Sequence, residues 1–206
     1  MISLLIDTTT SNITVSIIKD DKILYKYQEN ILSDMSSKVL PIIDNGLTEL
    51  ELKLEDIDKI FIVNGPGSFT GIRVGVTVAK TIAWALKKNI IPLSSLELMA
   101  TTSTNKKYIV PMIDARRNNV FAGIYDDELN CIKEDKLISI EEINKLNSDY
   151  EFVSYDNINI EEVIKPNIDI LKIINKHIND NGTNPHNLNP NYLKLTEAEE
   201  NKLKND

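Results

Sequence analysis

Cysteine is nearly missing: the 206 residues hold one, Cys131, so no internal disulfide can form and paired-cysteine redox chemistry is excluded. Histidine is almost as scarce. His177 and His186 both fall late in the chain, which leaves a histidine metal site or a Ser–His triad little to draw on. A peptidase reading fails on the same point, for want of a nucleophile–histidine pair. No apolar run approaches ~20 residues, so no helix spans a membrane. Met1 to Asp7 is too short, and lacks the basic start, for a signal peptide, and a cytoplasmic location is expected. Positive charge is outnumbered, with 23 Lys and Arg against 31 Asp and Glu and a net charge of −8. Such a surface repels phosphate backbones, so strong nucleic-acid binding by the chain alone is not expected.

Glycine and arginine are also rare, and their placement is informative. Of seven glycines, four (Gly65, Gly67, Gly71, Gly75) fall within Asn64–Gly75. Glycine permits positive φ and close approach of another backbone at an entropic cost, so its concentration marks unusual geometry. The stretch follows the apolar run Ile60–Val63 and precedes a long helical pattern, an order of strand, tight loop and helix N-terminus that can hold an anion. The three arginines, Arg73, Arg116 and Arg117, sit in or beside the motifs, where a rigid bidentate donor is useful.

The spacing predicts three opening strands: Ile2–Ile6, the alternating run through Ile13, Val15 and Ile17, and Ile23–Tyr27. Asp7-Thr8-Thr9-Thr10 forms the first turn. A helix over about 36–50 follows, capped by Ser33, Asp34 or Ser36, with Pro41 in its first turn or at a kink. Next come strand 59–63, the glycine loop, a helix over about 70–87, strand 90–93 and a helix capped at Ser94. The polar break at 101–107 suggests a boundary, giving a first lobe over 1–104 and a second, smaller one over 105–206. The second opens with strands 108–113 and 120–125, a third over 132–138, a short helix at 141–146 and a helix at 168–178. From Asn179 the chain is rich in Asn and charge and is expected to be loosely held, apart from Tyr192-Leu193. Alternating helices and strands indicate an α/β fold.

On the helix after the glycine loop, the apolar positions Ile72, Val74, Val76, Val78, Ala79, Ile82, Ala83, Ala85 and Leu86 cover roughly 200° at ~100° per residue. A surface helix needs a stripe nearer 100°. Gly71, Gly75, Ala79 and Ala83 recur every fourth position, as close helix packing requires. Either the helix lies between its own sheet and a neighbouring helix, or a separate chain covers one face. The loop itself matches neither standard phosphate motif. Gly65 and Gly71 enclose five residues with Ile72 following, and Gly65-x-Gly67-x-x-Thr70 has Thr at the third glycine position. Backbone N–H groups with Ser68, Thr70 and Arg73 can still bind an anion, or Ser68 or Thr70 can simply cap the helix. Asp7 and Asp114 each end an apolar strand and suit either a metal-bound phosphate or an Asx turn.

Gly-Pro-Gly-Ser-Phe-Thr-Gly-Ile-Arg-Val-Gly at 65–75 closely resembles the signature of the TsaB (YeaZ) family. The likeness extends to Ile6-Asp7-Thr8-Thr9, Ala83-Trp84-Ala85-Leu86, Ser94-Ser95-Leu96-Glu97, Met112–Arg117 and the closing Pro190-Asn191-Tyr192-Leu193-Lys194. The resemblance implies an actin/sugar-kinase/Hsp70-like, ribonuclease H-like fold with two related lobes. It also implies a non-catalytic role in placing threonylcarbamoyl on the adenosine next to the tRNA anticodon. The implied partners are a TsaD-like paralogue in a heterodimer and a TsaE-like ATPase, with tRNA met only through the complex and a homodimer in isolation. The partner interface is expected at Leu40, Ile43, Leu47, Gly71, Val74, Gly75, Val78 and Ile82. A vestigial anion site is expected at Asp7, Thr8, Thr9, Gly65, Gly67, Ser68, Thr70 and Arg73, with no metal or cofactor. Two departures stand out: Met35-Ser36 replaces the family's His-Ser, and the second lobe is shortened after Ile158. The rival reading is a small ATP-binding phosphotransferase using Asp7, Thr8, Ser68 and Thr70.

Overall fold

The structure, a computed structural model, describes residues 1–30, 34–146 and 149–194. Five strands form a first sheet: β1 (Ile2–Asp7), β2 (Asn12–Lys19), β3 (Lys22–Asn30), β4 (Lys59–Val63) and β5 (Ile90–Leu93). The spatial order is β3-β2-β1-β4-β5, with β1–β3 an antiparallel meander and β1, β4 and β5 parallel. Two helices lead into the parallel strands: α1 (Met35–Glu49) joins β3 to β4, and α2 (Phe69–Leu86) joins β4 to β5. A five-residue helix, α3 (Ser95–Met99), leaves the sheet.

A second sheet repeats this plan. Its strands are β6 (Tyr108–Asp114), β7 (Asn119–Tyr125), β8 (Cys131–Ser139), β9 (Tyr150–Val153) and β10 (Val163–Ile164), in the order β10-β9-β6-β7-β8. Again the first three form an antiparallel meander and the first, fourth and fifth run parallel. The short helix α4 (Ile140–Ile143) and the helix α5 (Ile170–His177) complete the described α-helices.

Side-chain alternation along each strand divides the core. Leu4, Ile6, Ile60, Ile62 and Ile90 point to one face of the first sheet, where Val39, Ile43, Leu47, Ile72, Val76, Ala79 and Ile82 of α1 and α2 cover them. Leu5, Phe61, Val63, Ile91 and Leu93 point to the other face. There they meet Leu96 and Met99 of α3, Ile170, Ile173 and Ile174 of α5, and Ile109, Ile113, Phe121 and Tyr125 of the second sheet. The two sheets therefore share one interior through α3 and α5. Each fully buried Ile or Leu is worth roughly 1.5–3 kcal/mol.

Several boundaries differ from the sequence reading in detail. Pro41 lies inside α1 beyond its first turn. Asp34 occupies the N-cap position of α1 with a left-handed backbone and no side-chain cap bond, Ser36 lies within the helix, and Ser33 lies outside the described residues. Ser68 and Ser94 do cap their helices: Ser68 Oγ accepts from Gly71 N–H, and Ser94 Oγ from Leu96 and Glu97 N–H.

The larger difference concerns the end of the chain, expected to be loose. As far as Lys194 it runs back over the first lobe as a strap. Thr183 pairs antiparallel with Ile90, adding a bridge to the β5 edge. Leu188 is buried in the core under α2, and Lys80 Nζ donates to its carbonyl at 2.8 Å. Asn191 N–H donates to Asn64 O at 2.7 Å, and Asn64 Nδ2 donates to Asn189 O at 3.0 Å. Asparagine amides and backbone groups hold this segment, so its polar composition does not leave it unattached. The expected segment beyond Lys194 lies outside the described residues.

Candidate functional site

Each sheet ends its first strand in an aspartate that closes an Asx turn. In the first lobe, Thr9 donates to Asp7 Oδ1 through its N–H at 2.8 Å and its hydroxyl at 2.7 Å. In the second, Arg116 N–H donates to Asp114 Oδ1 at 2.8 Å, and Arg116 Nη1 lies 3.7 Å from Oδ2. The turn-forming reading of both aspartates is the one the geometry carries. Their surroundings differ. Asp114 is partly exposed, whereas Asp7 is buried, and burial lifts its carboxyl to about 6 against the lowering effect of the Thr9 bonds. Tyr155 of the second lobe stands near enough that burial, with the Asp7 charge, pushes its phenol up to about 12, and Gln28 Nε2 donates to its oxygen at 3.3 Å.

The glycine loop packs directly on the Asp7–Thr9 turn. Ser68 N–H donates to Thr9 O at 2.7 Å, and Thr8 Oγ1 donates to Gly71 O at 2.7 Å. A Cβ on Gly71 would fall 2.0 Å from Thr8 O, and one on Gly75 2.3 Å from Thr8 Oγ1. Gly67, at φ +153, faces the Thr9 carbonyl in the same way, and Gly65 faces the Asn191 carbonyl of the strap. The close approach that the glycines permit is thus between parts of this chain. Carbonyl oxygens of this chain stand where side chains at these positions would be, and the Ser68 and Gly71 N–H groups already have partners within the chain.

Of the expected anion-site residues, Asp7, Thr8, Thr9, Gly67 and Ser68 come together at this contact, and Gly65 lies beside it against the strap. Thr70 is exposed on α2. Arg73 turns to the strap instead: its Nε donates to Tyr192 Oη at 2.8 Å, and its guanidinium lies 5.4 Å from the Phe69 ring centre and 5.7 Å from that of Tyr192. Phe69 and Tyr192 themselves stack at 4.2 Å.

The expected partner interface divides similarly. Ile43, Leu47 and Ile82 are core residues between the helices and the sheet. Gly71 and Gly75 face Thr8, so they open no surface to another helix, and the four-residue repeat of small side chains lets α2 sit close on its own sheet. Leu40 of α1 is 54% exposed, and Val74 and Val78 of α2 are half-buried. These three, with the exposed Ala85, leave apolar outer positions on α1 and α2, and Trp84 stands on the neighbouring polar flank of α2.

Two clusters escaped the sequence reading. Asp135 on β8 accepts from Tyr125 Oη at 2.6 Å and from the Ser94 hydroxyl, and burial raises its carboxyl. His177 faces Glu97 Oε1 through Nε2 at 3.0 Å and Asp180 Oδ2 through Nδ1 at 2.7 Å, while Lys176 Nζ donates to the same Glu97 oxygen at 2.7 Å. These partners lie up to eighty residues apart, with no local pattern to announce them. The strap had one signal, the Pro190-x-Tyr192-Leu193 element.

Two sheets of the same strand order around a shared interior, each with an Asx turn at the end of its first strand, define a two-lobed fold of the actin, sugar-kinase and Hsp70 type. YeaZ from Pseudomonas aeruginosa has the same fold, with a TM-score of 0.80 at 20% identity over 93% of this chain and 99% of that one. Residues 30–183 match the family model described as TsaD, tRNA N6-adenosine threonylcarbamoyltransferase, and the chain belongs to that family. Within it, the sequence is similar to the tRNA threonylcarbamoyladenosine biosynthesis protein TsaB of Bacillus subtilis, 34% identical over 61% of this chain and 55% of that protein. The Escherichia coli protein of the same name is 30% identical over 63% of this chain and 57% of its own length. The aligned stretches thus span little more than half of these relatives. No helix among the described residues is long and apolar enough to cross a membrane.

Proposed function

We propose that this chain takes part in making threonylcarbamoyladenosine in tRNA as a supporting subunit, paired with a TsaD-type transferase rather than performing the transfer. The observation that carries this reading is the self-filled glycine loop: Thr8, Thr9 and Asn191 carbonyls stand against the glycines that would otherwise cradle a phosphate. This disfavours the rival reading as an ATP-binding phosphotransferase. Leu40, Val74 and Val78 form the docking strip, with a TsaE-like ATPase joining the pair in the cytoplasm. Without the partner, the same strip pairs two copies of this chain.

The test is nucleoside analysis of tRNA after depletion of the chain. Loss of threonylcarbamoyladenosine is expected, and an unchanged level overturns the proposal. Val78→Asp places a charge on the half-exposed strip, and co-elution with the TsaD-type partner is expected to disappear while the circular dichroism spectrum is kept. Retained co-elution would remove the strip from the interface. Tight binding of ATP and magnesium by the isolated chain, seen by calorimetry, would favour the phosphotransferase.

A further inference from the structure

The chain carries a net charge of −8, yet residues 59–96 contain no Asp or Glu, and neither do residues 181–194. The structure brings these two acid-free segments together, since the strap lies along α2. At ~100° per residue, Arg73, Lys80, Trp84 and Lys87 fall within about 60° of one another on the strap-facing flank of α2. Arg73 and Lys87 are exposed, and Lys80 and Lys88 are half-buried, donating to the carbonyls of the buried Leu188 and Ile57. Among the described residues, the acidic group paired with one of them is Asp58, 3.9 Å from Lys88 Nζ.

Two aromatic rings interleave with these cations. Tyr192 is 36% exposed beside Arg73, and Trp84, the only tryptophan of the chain, is 65% exposed. Trp84 also borders a surface cavity of about 420 Å³, whose lining includes Lys87, Lys88, Asn89, Asn184 and His186. An exposed indole beside cations and amide groups matches the chemistry that binds unpaired nucleic acid, in which a cationic track follows the backbone and aromatic faces stack on bases.

We propose that the flank of α2 facing the strap is a weak contact for unpaired RNA, with a base stacked on Trp84 and phosphates beside Lys87, Lys88 and Arg73. This rests on the reading of the chain as part of a tRNA-modifying assembly. The flank lies next to the docking strip of Leu40, Val74 and Val78 without coinciding with it, so an RNA held there runs along the edge of the protein–protein contact. The overall negative charge keeps the affinity of the free chain low and strongly dependent on salt.

The single tryptophan makes the test direct. Trp84 emission is titrated with a twelve-nucleotide oligoadenylate at low salt, using polyglutamate as the control polyanion. Saturable quenching by the oligoadenylate alone, weakening as salt rises, is expected. With a dye-labelled oligonucleotide, Trp84→Ala is expected to weaken binding about five- to 150-fold. Lys87→Asn, compatible with the left-handed backbone at that position, is expected to lower the salt slope by somewhat less than 1. No quenching, or affinity unchanged in both variants, overturns the proposal. Equal responses to polyglutamate also overturn it, pointing to an acidic protein partner for the flank. None of these failures bears on the supporting role, because nucleoside analysis after depletion tests that role independently.

Discussion

Replacing Gly75 by alanine tests how tightly α2 is seated on the first turn. A Cβ there falls 2.3 Å from Thr8 Oγ1 and 3.2 Å from Ile62 Cδ1. Thr8 cannot yield freely, because its hydroxyl is committed to Gly71 O at 2.7 Å. Overpacking costs about 1–3 kcal/mol. Loss of the hydrogen bond adds about 0.5–1.5 kcal/mol. Alanine returns about 1 kcal/mol of helix propensity over glycine. The net is a destabilisation near 2 kcal/mol, or a fall in Tm of about 4–8 °C for a chain of this length. Thermal and urea melts of Gly75→Ala, Thr8→Ala and the double variant form a cycle. The double variant is expected to be more stable than the sum of the single losses by about 1–2 kcal/mol, because removing Oγ1 makes room for the new methyl. If Gly75→Ala is neutral or stabilising, α2 lifts off the turn without cost, and the self-filled loop no longer argues against a phosphate site.

Asp7→Asn keeps an acceptor for both Thr9 donors while removing a buried charge. The folded-state pKa of Asp7, about 6, lies above its ordinary value of 3.8, so the penalty is absent below about pH 4 and grows until about pH 6. The variant is therefore expected to be more stable than the parent at pH 7.5, by at most about 3 kcal/mol, with the difference vanishing near pH 4. A loss of stability at pH 7.5 would refute the burial argument. His177 has the opposite sign. Glu97 and Asp180 face its two ring nitrogens and hold its pKa above 6.5, against burial and with Lys176 nearby, so its contribution is complete below about pH 6.5 and is lost as pH rises through the higher folded value. A ring-proton titration by NMR with a midpoint at or below 6.5 would refute the assignment. Leu188→Ala removes the buried anchor of the strap at a cost of about 2–5 kcal/mol, and proteolysis within 181–194 is expected to accelerate. Unchanged cleavage would mean that the polar ties alone hold the strap.

The sequence made the strands legible because each central strand buries both faces or alternates cleanly, as Leu4, Leu5 and Ile6 and then Ile60 to Val63 do. Helix starts were legible where a serine caps them, at Ser68 and Ser94. The wide apolar arc of α2 was visible too, but its meaning was not. Ile72, Val76, Ala79, Ile82 and Ala83 face the sheet and α1, while Val74 and Val78 sit at the edge, and spacing alone assigns no covering element to an arc. The strap was illegible for a different reason. Segments held by amide side chains and carbonyls have no hydrophobic period, so Asn64, Asn189 and Asn191 read as loop residues until their partners are seen.

The two lobes share a plan but differ where a nucleotide-handling pair would need them alike. In the first, the crossover from β4 to β5 is an eighteen-residue helix seated on the Asp7 turn. In the second, β9 passes to β10 with no helix between, and the Asp114 turn has Arg116, Arg117 and Asn118 in left-handed conformations. Ser154 and Asp156 occupy the place of a loop-and-helix: Ser154 Oγ donates to Met112 O at 2.8 Å, and Asp156 accepts from Asp114 N–H at 2.8 Å. A ligand clasped between matching loops would find the first turn packed on the glycine loop and, on the second side, Ser154 and Asp156 bonded to β6 in place of a loop and helix.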